Sequence, residues 1–258
     1  MPELFSSALA DSSSVAVDGG RAVNSAILEQ ITTLSLQSVY LASALIAVLV
    51  IIALLVKNQS ELVKNLLFWP MVIAIGLTTV IMGGSTIYLN VVSHSKGPVH
   101  WHADVEIWAC GQELNLKDPQ GFSNKIGSPV LHEHNDKRIH LEGVVVNLED
   151  ASLGHFFETI GGKLTSDELS LPTNDGQARF ANGELCGEHA GEVQVFQFLI
   201  KDGKITQRKL ADPAGHIYGP HSQVPPGDCL IVEFDRRKDQ TDKLCRSYVV
   251  ERQKGDAQ

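Results

Sequence analysis

Charge is missing from two long stretches of this 258-residue chain. No Asp, Glu, Lys or Arg occurs from Ile31 to Val56, and none from Leu66 to Val92. Histidine is absent from the whole segment before His94, although the chain has 10 of them. A basic stripe is lacking too: the formal net charge is −9 and Lys and Arg are scattered. Such a surface cannot neutralise a phosphate backbone, which excludes nucleic acid as a partner. There is no CxxC pair, so neither a thioredoxin-like site nor a zinc ribbon is indicated. No GxSxG elbow, Walker loop or dinucleotide fingerprint occurs either.

What is present divides the chain in two. A helix needs about 20 apolar residues to cross the hydrocarbon core, and both uncharged runs exceed that. They predict transmembrane helices over 31–56 and 66–92, joined by a short loop over 57–65. Pro70 falls near the start of the second span, where a missing amide proton costs little. Trp69 and Tyr88 fall near its ends, as interfacial aromatics do. The preceding residues 1–30 are rich in Ser, Ala, Gly and Asp and read as a disordered polar tail. With that tail in front, the first run reads as a retained span and not as a cleaved signal.

Lys57 and Lys64 lie in the loop between the spans, against Arg21 on one outer flank and Lys96 on the other. Positive-inside reasoning places the loop in the cytoplasm. The expected location is the plasma (inner) membrane, crossed twice, with both termini and the C-terminal domain extracytoplasmic. The lipid bilayer is then a partner. Small residues at Gly76, Gly83, Gly84 and Ser85 would admit close packing with other membrane proteins.

All four cysteines, Cys110, Cys186, Cys229 and Cys245, follow the second span. An even count in an oxidising space fits two disulfides, with three connectivities open.

Residues 97–258 are long enough to bury a core of their own. "ADVEIWAC" alternates, with Val105 and Ile107 on one face and Glu106 and Trp108 on the other. A turn at Gly111-Gln112 leads into "ELNL". "VQVFQFLIKDGKITQRKL" predicts a hairpin turning at Asp202-Gly203. "PPGDCLIVEFD" reads as a turn and a strand, with "KLCRSYVVE" pairing back on it. "SLGHFFETIGG" predicts the one amphipathic helix, capped by Ser152 or Asp150 and ended by Gly161-Gly162. Thr165 to Gly191 reads as a long connection. The expected fold class is two transmembrane helices followed by an α+β domain, one main helix packed on a mainly antiparallel sheet.

One order of motifs is familiar. His100, His102 and Ala103 come first, then Leu131, His132 and His134, then Ile139, His140 and Glu142, then Leu153, Gly154, Phe156, Phe157 and Gly161. Over residues 99–235 this resembles a group of prokaryotic exported or membrane-anchored domains. They share H-x-H-[A/P], L-H-T-H-D, G-I-I-H-I-E and T-L-G-x-F-F-x-x-W-G. The group has no established activity, so the resemblance implies a domain type and no reaction. The turn "NDKR" departs from the pattern: it lacks the usual Gly and is about one residue short.

Side chains at i and i+2 on a strand share a face. His100 with His102, His132 with His134, and His140 with Glu142 are therefore three candidate ligand pairs. Neutral imidazoles with a carboxylate form an ordinary shell for a transition metal such as zinc or copper. Register decides convergence. His134 opposite His140 puts all on one face, while a two-residue loop at Asp136-Lys137 puts His134 opposite Ile139 and mixes the faces.

The first functional reading is a membrane-anchored extracytoplasmic domain that binds a transition metal. The alternative is a non-enzymatic structural or interaction subunit of a membrane complex, with a metal-free histidine network. An enzyme is the lesser expectation; Glu133, Glu142 and Asp104 are its candidate acid or base beside a metal-bound water. His155 reads as a helix-surface residue. His216 and His221 are a weaker second metal pair, and His189 falls in a loop.

Overall fold

The computed structural model describes residues 6–57, 60–122, 124–219 and 227–255, with 6–29 as backbone only. The chain forms two compact units, 1–97 and 98–258.

The first unit is a helical hairpin of α1 (Ser6–Leu55) and α2 (Glu61–Val92). Within it, Gln30–Leu55 and Glu61–Val92 are long and apolar enough to cross a membrane, by length and composition. Their apolar side chains lack protein cover: Leu41, Leu54 and Val80 are 72%, 79% and 71% exposed. A pair of buried helices in a water-soluble core would show the opposite. Between the helices, Ser35 and Ser85 hydroxyls bond at 3.2 Å, and Thr78 Oγ1 donates to the Ser38 carbonyl at 3.4 Å.

Two expectations change here. The tail expected to be disordered over 1–30 is helical from Ser6, as the upstream part of α1. Once a helix exists, each added residue gains a hydrogen bond without a new nucleus. Residues 1–5 lie outside the described residues. The loop over 57–65 is shorter than expected, because Ser60 caps α2 by accepting from the Val63 amide. Lys64 and Glu61 pair across that first turn at 2.8 Å. Pro70 thus sits inside the helix, not in its first turn. Membrane helices tolerate such a break where neighbouring groups satisfy the freed carbonyl.

Among the described residues the second unit carries thirteen strands. In order they are β1 (Pro98–Ala109), β2 (Gln112–Leu114), β3 (Ile126–Gly127), β4 (Leu131–Glu133) and β5 (Arg138–Val144), then helix α3 (Leu153–Thr159). β6 (Lys163–Leu164), β7 (Glu168–Thr173), β8 (Gly176–Ala181), β9 (Leu185–Cys186) and β10 (His189–Ala190) follow. β11 (Glu192–Lys201), β12 (Lys204–Lys209), β13 (Asp228–Asp235) and helix α4 (Arg246–Lys254) complete it. The main sheet has the order β12-β11-β13-β1-β5-β4-β3, and β2 also pairs with β1. Among the described residues β1 and β13 run parallel and the other pairs of this sheet are antiparallel. The α+β architecture expected from sequence is the one observed.

β1 sits centrally and sends alternate residues to opposite faces. Trp101, Ala103, Val105 and Ile107 enter the larger core with Leu131, Ile139, Leu141 and the α3 residues Leu153, Phe156 and Phe157. Ser152 caps α3, accepting from the His155 amide at 3.1 Å. On the reverse face, Phe196, Phe198, Cys229 and Ile231 pack against Cys245 and Tyr248. The β11–β12 hairpin turns at Asp202-Gly203 as expected, with Lys201 paired to Lys204.

Two readings are corrected. "KLCRSYVVE" does not pair as a strand: from Arg246 it is α4, whose Tyr248 hydroxyl donates to the Phe198 and Gly227 carbonyls. The stretch 165–191 is not a bare connection, because β6, β7 and β8 make a second sheet and β9 and β10 a third. Leu169 and Leu171 on β7 give it a buried face, which outweighs the strand-breaking Pro172. Both disulfides form, Cys110–Cys186 and Cys229–Cys245.

Candidate metal centre

In the β1–β5 ladder His100 lies opposite Glu142 and His102 opposite His140. In the β5–β4 ladder His140 lies opposite His132. Antiparallel partners share a face, so His102, His140 and His132 form a row across three strands. Both registers considered from sequence are replaced. The connection spans residues 134–137, with Asn135 and Lys137 at φ 65° and 60°. Glu133 holds it by accepting from the Asp136 and Lys137 amides at 2.7 and 3.0 Å. This register differs by two residues from His134 opposite His140, so the one-face arrangement survives.

His100, His102, His140 and Glu142 each offer a ligand atom, all within 4.8 Å of one another. Donors around a tetrahedral ion with bonds of about 2.0–2.1 Å stand about 3.4 Å apart. Small side-chain rotations therefore suffice to close the set. Ring positions agree: two imidazoles on one such ion have centroids about 5 Å apart. The observed separations are 4.5 Å for His100–His102 and 4.8 Å for His102–His140.

Hydrogen bonds orient the rings. His140 Nε2 lies 3.0 Å from Asp136 Oδ2, and Nδ1 lies 3.9 Å from Glu142 Oε1. An Nε2–H donated to Asp136 leaves the Nδ1 lone pair on the side of the ligand group. This is the outer carboxylate that ligating histidines typically use. Sequence spacing gives no sign of Asp136, which reaches His140 only because the turn folds back. His100 Nε2 contacts Glu142 Oε1 at 3.0 Å.

Electrostatics favour the neutral imidazole at His102 and at His132. Burial lowers the pKa of His102, helped by His140, His100 and Arg138, with Glu142 opposing. Burial also lowers that of His132, with Lys125 and His134 adding to it. A neutral ring keeps the lone pair that a metal needs.

The remaining candidates fall elsewhere. His132 and His134 stand beside the four-residue group, their ring centroids 5.6 and 4.9 Å from His140, but are not part of it. Glu133 points away from the row and caps the turn. Asp104 is held by Arg138 Nε at 2.6 Å and by the Ser247 hydroxyl. It is engaged, not poised as an acid or base. His155 is on α3, 3.5 Å from Glu158. His189 is exposed on β10. The His216 side chain is 8% exposed and lies 3.6 Å from Asp228; His221 lies outside the described residues.

Comparisons with family models, with curated proteins and with solved structures give no match.

Proposed function

We propose that this chain is a two-pass membrane-anchored protein whose folded unit binds a divalent transition metal, zinc or copper, through His100, His102, His140 and Glu142. The observation that carries the reading is the paired register. His100 faces Glu142 and His102 faces His140, so four donors converge from two neighbouring strands. Three imidazoles and one carboxylate suit borderline divalent ions and do not suit calcium or magnesium, which take oxygen. The same four residues supply the binding; bound metal would add Lewis acidity.

Two disulfides support an oxidising, extracytoplasmic setting for the folded unit. Lys57 and Lys64 between the spans support a cytoplasmic turn.

A second reading rests on the bonds His100–Glu142 and His140–Asp136, both 3.0 Å, which satisfy these rings without an ion. It makes the row a structural network in a membrane interaction subunit. Elemental analysis of the full chain purified in detergent separates the two. Near-stoichiometric zinc or copper, lost in both His100→Ala and His140→Ala, supports the metal reading. No metal after loading with either ion leaves the network reading.

A further inference from the structure

The row of histidines continues past the four-residue group, and its far end holds an unexplained atom. His132 is 1% exposed, and its Nδ1 has no hydrogen-bond partner among the described residues. Buried polar atoms are almost always paired, so an orphan asks for a missing partner. The surroundings are chemically specific. His134 and His140 both lie beside His132, with ring centroids 4.8 and 5.6 Å from its own. His134 and His140 are themselves 4.9 Å apart. All three separations lie close to the roughly 5 Å expected for imidazoles sharing one ion.

The tautomers fit as well. His134 Nδ1 lies 2.6 Å from the Asn124 carbonyl, so it donates there and leaves Nε2 as the lone pair. His140 donates Nε2–H to Asp136 and leaves Nδ1. Carbonyl and carboxylate partners of this kind fix ligating histidines in known sites.

We propose a second, inner metal position formed by His132, His134 and His140. It rests on the reading of this sheet face as metal-binding, and it takes the same class of ion, a divalent transition metal. His140 belongs to both sets. The outer position has a carboxylate, Glu142, and the solvent-exposed His100; the inner one is all imidazole and buried at His132. Three ligands also leave the inner ion an open coordination site.

The test uses the full chain in detergent micelles, stripped with chelator and then given Cu²⁺. Bound copper is counted after dialysis and its environment read by electron paramagnetic resonance. The double variant His100→Ala/Glu142→Gln removes two outer ligands on the sheet surface. It is expected to keep bound Cu²⁺ with an altered spectrum, and adding His134→Ala is expected to abolish that binding. His134→Ala alone is expected to keep the outer signal. Near-ultraviolet circular dichroism checks that each variant is folded. If the wild type binds Cu²⁺ and the folded double variant binds none, or binds it regardless of His134, the inner position is overturned while the outer reading stands. If the wild type binds none, both fall.

Discussion

His102 stands directly opposite His140, ring centroids 4.8 Å apart and ring planes at 90°. Both residues stand within the paired strands β1 and β5. On the reverse side of the same strands, Ala103 and Ile139 are both 0% exposed. The packing of that core holds the two imidazoles in place, which is the preorganisation the proposed site needs for affinity.

Asp136 tests this orientation. Asp136→Asn keeps the shape but weakens the acceptor for His140 Nε2–H. Metal affinity is expected to fall by about 10–100-fold. The amount bound at saturation is expected to stay unchanged. Titration calorimetry with zinc and with copper measures both quantities; an unaltered affinity would show that Asp136 does not orient the ligand.

Topology is tested by labelling. Lys57 and His94 flank α2 at opposite ends and are both exposed. With the turn in the cytoplasm, Lys57→Cys is expected to resist a membrane-impermeant thiol reagent in intact cells. His94→Cys is expected to react. The reverse pattern would invert the protein in the membrane and remove the oxidising setting from the folded unit.

Lys238 guards a buried charge. Its ammonium bonds Glu233, 0% exposed, at 2.7 Å and Asp235 at 3.0 Å. Lys238→Met strands the Glu233 carboxylate and is expected to cost about 3–5 kcal/mol at neutral pH. Burial pushes the Asp235 pKa up, but Lys238 and the Arg236 amide outweigh it and hold the pKa below the ordinary 3.8. That contribution is complete above 3.8 and is lost as pH falls through the lower folded value. Burial also opposes the charge on Lys238, yet its two carboxylates raise it above the ordinary 10.5. Its share is complete below 10.5 and is lost as pH rises through the higher folded value. Denaturation midpoints across pH should show this plateau in the wild type and flatten in the variant.

The disulfides separate by loop length. Cys229–Cys245 spans 16 residues and Cys110–Cys186 spans 76. Chain entropy assigns them about 3 and about 4.5 kcal/mol. Paired Cys→Ser variants compared by denaturant midpoint check the order. Loss of Cys229–Cys245 should also free the start of α4, seen as faster amide exchange near Tyr248.

Local rules made part of this molecule legible. Uncharged runs marked the spans, Asp202-Gly203 marked a hairpin, and Ser152 with Phe156 and Phe157 marked α3. The i, i+2 rule gathered the histidines, because face parity does not depend on knowing the partner strand. Register depended on how many residues the turn consumed, and Glu133 capping its amides was invisible without coordinates. The parallel pairing of β1 with β13 joins residues far apart in sequence and leaves no local mark. In "KLCRSYVVE" the valines argued for a strand. The disulfide at Cys245 and the buried Tyr248 made a helix the better fit there.

In the stretch from His100 to Val105, two kinds of selection act on alternate letters. Trp101, Ala103 and Val105 answer to the interior; His100 and His102 answer to the opposite side. A change at one set leaves the other's requirement untouched. The proposed ligands can therefore be exchanged for others over evolutionary time, or in the laboratory, without renegotiating the fold. The apolar letters set the spacing, and whatever chemistry is written between them inherits it.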